Sequence, residues 1–302
     1  MSITHHHLLA VLNTELVHQP VRQVCRILDM GCGSGALISF LQNHLTRQNP
    51  NIVYELFGFD VHDENVQAAG FIERTVESLR TAHPGVDWNK RIFSIHSTEL
   101  WPFADDSFDF IVSNQVLEHV AEPEFAFKQL ARILAPGGVA YHLFPLDRYI
   151  YEGHLFIPFV HWIEDHDLLD WWIRVFNRLG VGQFRFPESR APESLASYAA
   201  RHADYMAFYT RHMSLCEAYG LAKRVRLRCS FRHSGEFYLA KLRTLFGRTP
   251  KLTYDQPIGK PFAPLLERLA FAVWSRVSCV TMRLEKRDIY WSSAPKPIVT
   301  LP

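Results

Sequence analysis

Hydrophobic positions along the chain alternate between short apolar runs and stretches with helical spacing. Residues 4–17 place Leu8, Leu9, Leu12 and Leu16 on one side, with Thr4 in an N-cap position, and so predict a helix. An apolar run at 24–28 then ends in Asp29. Glycines follow at 31, 33 and 35, and a helical pattern runs from Ala36 to about Leu45, closed by Asn49-Pro50-Asn51. A second apolar run, 53–59, again ends in an acid, Asp60. A polar-rich helix is predicted over 63–82, where His83-Pro84-Gly85 stops it. Short strands are predicted at 91–95 and 107–112. A helix over 123–134 follows, then a turn at Pro136-Gly137-Gly138 and a fifth strand at 139–144.

Strand and helix alternating in this way predict an α/β fold, with a doubly wound, mostly parallel sheet and helices on both faces. After Pro145 the rhythm changes. Residues 147–200 are irregular and crowded with Tyr149, Tyr151, Phe156, Phe159, Trp162, Trp171 and Trp172. A helix at 204–219 ending at Gly220, a strand at 222–230 and a last strand at 278–286 complete a seven-stranded sheet. Two amphipathic helical patterns around a proline-rich linker fill 234–277. The expected division is an N-terminal helical segment (1–23), a core (24–146), a cap insertion after the fifth strand (147–203), the core continued (204–233), a helical insertion after the sixth strand (234–277), and the last strand and tail (278–302).

Composition narrows the function classes. The 302 residues carry 32 Lys+Arg against 31 Asp+Glu, so no basic field points to nucleic acid. Hydrophobic residues make up 48% of the chain, enough for a large core. Cysteines 25, 32, 216, 229 and 279 are scattered with no CxxC, which fits free thiols in a reducing compartment and no zinc site. No signal peptide and no apolar run of about 18 residues is read, so a cytoplasmic protein is expected. The amphipathic stretch 263–282, edged by Arg268 and Arg276, is the one place where peripheral membrane contact is considered; a helix packed on the sheet is the favoured reading.

The chemistry starts at the glycine turn. A strand turning through glycines into a helix brings backbone close to a ligand at the carboxyl end of a parallel sheet. Gly31-x-Gly33-x-x-Ala36 also satisfies the dinucleotide fingerprint, which leaves NAD open. Against it, Asp29 precedes the first glycine by two residues, where it can accept from an ammonium group or order the turn. Asp60 lies further on than the dinucleotide pattern has its acid, yet its carboxylate suits the two donor hydroxyls of a ribose.

Four ordered blocks carry a resemblance. Leu28-Asp-Met-Gly-Cys-Gly-Ser-Gly35 resembles motif I of class I S-adenosylmethionine-dependent methyltransferases of the small-molecule type, which have a Rossmann-like sheet. Residues 101–112, Asn114-Gln-Val-Leu-Glu-His119 and Leu134-Ala-Pro-Gly-Gly138 resemble that family's later blocks in order. The resemblance implies S-adenosyl-L-methionine as cofactor. It implies that Asp29, Gly31, Gly33 and Gly35 surround the methionine moiety with Cys32 beside it, and that Asp60 takes the ribose. Val61 would pack beside the adenine, Thr98 and Glu99 would lie at its edge, and Asn114 and Gln115 would line the other side. The family often has Asp where Ser97 stands, a departure at the adenine contact.

A methyltransferase acting on a small-molecule or sugar-containing acceptor, by O-methylation, is the expected function. His154 and His161, hung after the fifth strand, are the candidate bases for a hydroxyl acceptor. A C-methyltransferase of a quinone or lipid, and a non-catalytic cofactor-binding or regulatory protein of the same fold, are the alternatives. Glu118 and His119 are read as capping and packing residues.

Overall fold

A computed structural model describes residues 2–18, 23–63, 70–185, 193–248, 252, 269 and 271–287. Its centre is a seven-stranded sheet. Strands β1 (Val24–Met30), β2 (Val53–Val61), β3 (Ile92–Ile95), β4 (Phe108–Asn114), β5 (Leu134–Phe144), β8 (Leu227–Ser230) and β9 (Val280–Lys286) lie in the order β3-β2-β1-β4-β5-β9-β8. Every neighbouring pair from β3 to β5 is parallel, and β9 runs antiparallel to both β5 and β8. This is the doubly wound, mostly parallel sheet that the strand–helix rhythm predicts. The strand order reverses between β1 and β4, the place where such sheets open a ligand crevice.

Successive strand residues feed opposite faces. Leu28 and Met30 of β1 enter one core, with helix α4 (Pro123–Ile133) and helix α7 (Leu215–Arg224) over it. Cys25 and Ile27 enter the other, under α1 (Ile3–His18), α2 (Ala36–Gln48) and α3 (Phe71–Ala82). Both faces are buried, so the strands read in sequence as mostly apolar runs, interrupted by Arg26 in β1 and Glu55 in β2.

Several expectations shift. Pro136-Gly137-Gly138 does not end an element: β5 already begins at Leu134, and the pairing register with β4 slips between Phe108 and Phe110. The segment is a bulge within a strand. A Cβ on Gly138 would stand 2.7 Å from the Ala135 carbonyl oxygen of its own strand and 3.0 Å from that of Phe108 in β4, so the bulge and its approach to β4 favour glycine here. The single helix expected at 204–219 is two, α6 (Leu195–Phe208) and α7. Ser194 and Ser214 cap them by accepting from the Ser197 and Glu217 amides, and Gly220 lies inside α7. Residues 222–224, expected in a strand, also belong to α7.

Helix α6 packs against α5 (His166–Arg178), so the expected cap boundary at 203/204 falls within a cap helix. A two-stranded hairpin, β6 (Tyr151–Glu152) and β7 (Ile157–Pro158), completes the cap. Helix α8 (Arg232–Leu245), expected as part of an insertion, flanks the sheet: Phe237 and Tyr238 are fully buried with Leu143 and Cys279. Most of the proline-rich linker, residues 263–268 of the amphipathic stretch, the start of the helix expected at 63–82, and the tail from 288 lie outside the described residues. Phe271, within that stretch, packs between Phe231 and Tyr238.

Helix α1 is tied across the sheet by one carboxylate. Glu15 accepts from the Tyr141 hydroxyl (2.6 Å), from Arg283 Nε and Nη2 (2.7 and 3.0 Å) and from Arg232 Nη2 (2.9 Å). Burial opposes its charge, but these donors hold its carboxyl below the usual carboxylate range. Removing one partner of such a pair leaves the other charged and buried. Glu15→Ala should therefore cost about 3 kcal/mol of stability or more, read as a lowered midpoint in urea unfolding. Glu15→Gln, which keeps part of the hydrogen bonding, should cost less.

Candidate functional site

The turn after β1 is held by its neighbour strand. The Gly31 and Cys32 amides both donate to the Phe59 carbonyl, at 2.9 and 3.0 Å, and the Gly33 amide donates to Asp60 Oδ2 at 2.7 Å. Asp60 Oδ1 accepts from the Val61 amide, and the Thr75 hydroxyl donates to the Gly33 carbonyl. Gly31, Gly33 and Gly35 all have left-handed φ, at 71°, 49° and 73°. At Gly31 a Cβ would also stand 2.5 Å from Val116 Cγ2, so glycine is required there by conformation and by space.

A cavity of about 290 Å³ opens beside this turn at the carboxyl ends of β1, β2 and β4. Of the residues singled out in the sequence, Gly31, Asp60, Val61, Thr98 and Gln115 line it. Gly33 and Gly35 shape the turn without lining the cavity. Asp29 is buried behind it, and burial together with the nearby Asp60 charge pushes its carboxyl well above the usual range. Cys32 faces away, against Gly58 and Ile38, and burial raises its thiol pKa, which leaves no thiolate for chemistry. Glu99 accepts from the His96 amide within its own turn. Asn114 turns towards α1, donating to Thr4 Oγ1 at 3.4 Å.

Ser97, where the resemblance leads one to expect an acid, also lines the cavity. Its amide and hydroxyl donate to the two oxygens of Asp63, at 2.9 and 2.6 Å. A carboxylate therefore stands at this place from a different point in the chain.

The two cap histidines part company. His154 hydrogen-bonds through Nδ1 to Glu152 Oε1 at 2.6 Å, while Glu152 Oε2 accepts from the His154 and Leu155 amides. Burial works against the imidazolium, but the Glu152 bond and charge outweigh it and raise the His154 pKa. His161 lies elsewhere, stacked on His212, with its pKa lowered by burial. Neither lines the cavity beside the turn.

His119 does line it. Its Nδ1 lies 3.0 Å from the Tyr209 carbonyl oxygen, and a carbonyl only accepts, so Nδ1 carries the proton in the neutral ring. Nε2 is left as an acceptor, with the Tyr205 hydroxyl 3.4 Å away and the His154 ring at 5.2 Å. Burial lowers the His119 pKa and keeps the ring neutral. Its neighbour Glu118 is 1% exposed, and neither carboxyl oxygen has a hydrogen-bond partner. The reading of this pair as capping residues missed both properties. The available signal was position: the pair follows a strand whose end lies at the crevice.

Burial pushes the Glu118 carboxyl up to about 8. The unfolded chain loses this proton near the ordinary glutamate value while the folded chain holds it, so stability should fall as pH rises from about 4.5 to about 8. Glu118→Gln removes that loss. Urea unfolding should find the variant gaining on the parent between about pH 5 and about pH 8; parallel curves would show that Glu118 does not titrate in this way.

Residues 6–226 match the family described as a methyltransferase domain. An uncharacterized methyltransferase of Schizosaccharomyces pombe is 30% identical over 118 residues, 39% of this chain and 39% of that protein. The ubiquinone biosynthesis O-methyltransferase of Rhizobium etli is 30% identical over 116 residues, 38% of this chain and 39% of the enzyme. The matches thus span 39% of the length of each of these curated relatives. The crystal structure of an S-adenosylmethionine dependent methyltransferase from Mesorhizobium loti shares the fold, with a TM-score of 0.50 over 92% of this chain and 97% of that one at 15% identity. With more than half of its length matched and a sheet of this order, the chain belongs to the methyltransferase domain family and has the class I S-adenosylmethionine-dependent methyltransferase fold.

Proposed function

We propose that the protein transfers a methyl group from S-adenosylmethionine to a hydroxyl of a small-molecule or sugar-containing acceptor. The observation that carries this reading is the placement of Asp60 and His119 on one cavity. The residues fit the cofactor. Asp60 presents an acceptor-only carboxylate suited to the ribose hydroxyls, and Val61 with Phe59 and Trp101 gives an apolar wall for the adenine. Ser97 and Thr98 stand at the adenine edge. The turn from Gly31 to Gly35 brings backbone to the methionine end.

When bound, S-adenosylmethionine supplies an electrophilic methyl group. The protein's part is to align the acceptor with it, exclude water and remove a proton. His119 replaces His154 and His161 as the base in this reading, since it borders the cavity and offers Nε2 as a lone-pair acceptor. The Tyr209 carbonyl fixes its tautomer and keeps accepting from the imidazolium that forms. Transfer to oxygen also agrees with the name of the Rhizobium etli relative, a ubiquinone biosynthesis O-methyltransferase. Balanced charge and an aromatic cap favour a small molecule over a nucleic acid.

Calorimetry should find binding of S-adenosylmethionine and of its demethylated product, with Asp60→Ala weaker by about tenfold or more. Binding of NAD with none of S-adenosylmethionine would sink the reading. A metabolite extract incubated with methyl-labelled cofactor should yield a labelled product. With that acceptor in hand, His119→Ala should lower kcat roughly a hundredfold or more, and the parent rate should fall on the acid side of the ordinary histidine range. Full activity in His119→Ala removes it as the base.

A further inference from the structure

A second cavity, of about 380 Å³, opens on the seam between cap and core, and it shares no lining residue with the first. The core contributes Asp147, just after β5. The cap contributes His161, Trp162 and Glu164, and the chain leaving α6 contributes Thr210 and His212. Asp147 is fixed on both sides: its amide donates to the Met213 carbonyl at 3.1 Å, and its carbonyl accepts from the Trp162 indole N–H at 2.7 Å. The side chain held in this way has Oδ1 buried with no hydrogen-bond partner. Both ring nitrogens of His161 share that condition. The His161 ring lies over His212, with centroids 4.4 Å apart and planes 25° apart.

Buried polar atoms without partners are rare in folded proteins and call for an explanation. The lining here holds two carboxylates and no lysine or arginine, so it is rich in acceptors and attracts positive charge. Its two imidazoles add no opposing charge, because burial lowers both and takes His212 to about 3. The indole of Trp162 and the thioether of Met206 give the wall a polarisable face. A bare metal ion does not match it: among the described residues no group of three His, Cys, Asp or Glu side chains is placed to hold one. An organic ammonium ion matches the acceptors and the apolar wall together, having N–H donors for the carboxylates and methylene groups for the indole and thioether.

We propose that the seam cavity is a binding site for a small organic ammonium ion, with Asp147 and Glu164 receiving its N–H groups and Trp162 covering its carbon skeleton. Thr210 and His212 belong to the same short segment whose Tyr209 carbonyl orients His119.

The test is calorimetry on the full chain without S-adenosylmethionine, so its failure and the failure of the methyl-transfer reading are separate results. Ethanolamine and putrescine are titrated against ethylene glycol as the uncharged control. Saturable binding of at least one amine and none of the glycol is expected. Asp147→Asn combined with Glu164→Gln should weaken it about tenfold or more. Trp162→Leu, which leaves both carboxylates in place, provides an independent variant if the double one fails to fold, and it too should bind less tightly. Equal binding of glycol and amine, undiminished binding in a folded variant, or no saturable amine binding overturns the proposal.

Discussion

The carboxylate of Asp60 and the carbonyl of Phe59, adjacent at the end of β2, hold the turn that follows β1. Three backbone amides, those of Gly31, Cys32 and Gly33, end on these two residues. Neighbouring parallel strands are joined by their ladder, but a loop beyond the strand ends has no ladder to fix it. Here the second strand supplies the missing acceptors. The left-handed glycines follow from that constraint, because only this backbone path turns successive amides towards the same neighbour. The cavity exists because the turn is held open against β2 and is not collapsed upon it.

That arrangement concentrates buried carboxyl groups at one end of the sheet. Asp29, Asp60 and Glu118 are all buried within a short span of strand ends. Taking a carboxyl group out of water costs free energy, most at Glu118, whose two oxygens have no hydrogen-bond partner. The stability that offsets them lies in the two hydrophobic layers on either side of the sheet. Edge and layers divide the work: the layers hold the fold, and the edge carries the chemistry.

Much of this was legible in the chain. The strand–helix rhythm, the glycine turn and Asp60 could be placed because each is a local pattern. The bulge at Pro136-Gly137-Gly138 was not legible, because the same three residues serve equally for a turn and only the register with β4 distinguishes them. The break between α6 and α7 was hidden because apolar spacing runs through it, and Ser214 as a cap resembles any other serine. Asp63 escaped notice as a partner of Ser97 because the two are 34 positions apart. The surroundings of Glu118 and His119 were hidden for a related reason. Whether an acid–histidine pair caps a helix or lines a cavity depends on what the cap lays over it, and Glu152, His154 and Tyr205 come from elsewhere in the chain.

Glu15 and Arg283, 268 positions apart, set an order of events for the growing polypeptide. Helix α1 is made first, yet its buried carboxylate meets no guanidinium until Arg232 of α8 has been synthesised, and the set is complete only when Arg283 arrives with the last strand between β5 and β8. Until then, seating α1 on the sheet would bury an unopposed negative charge. The opening helix is thus among the last pieces to settle. Asn114, at the crevice end of β4, donates its hydrogen bond to Thr4 of that same helix, so the mouth of the crevice is finished only once α1 is seated. A partly made chain would carry the glycine turn and its two acids without the wall that closes them in.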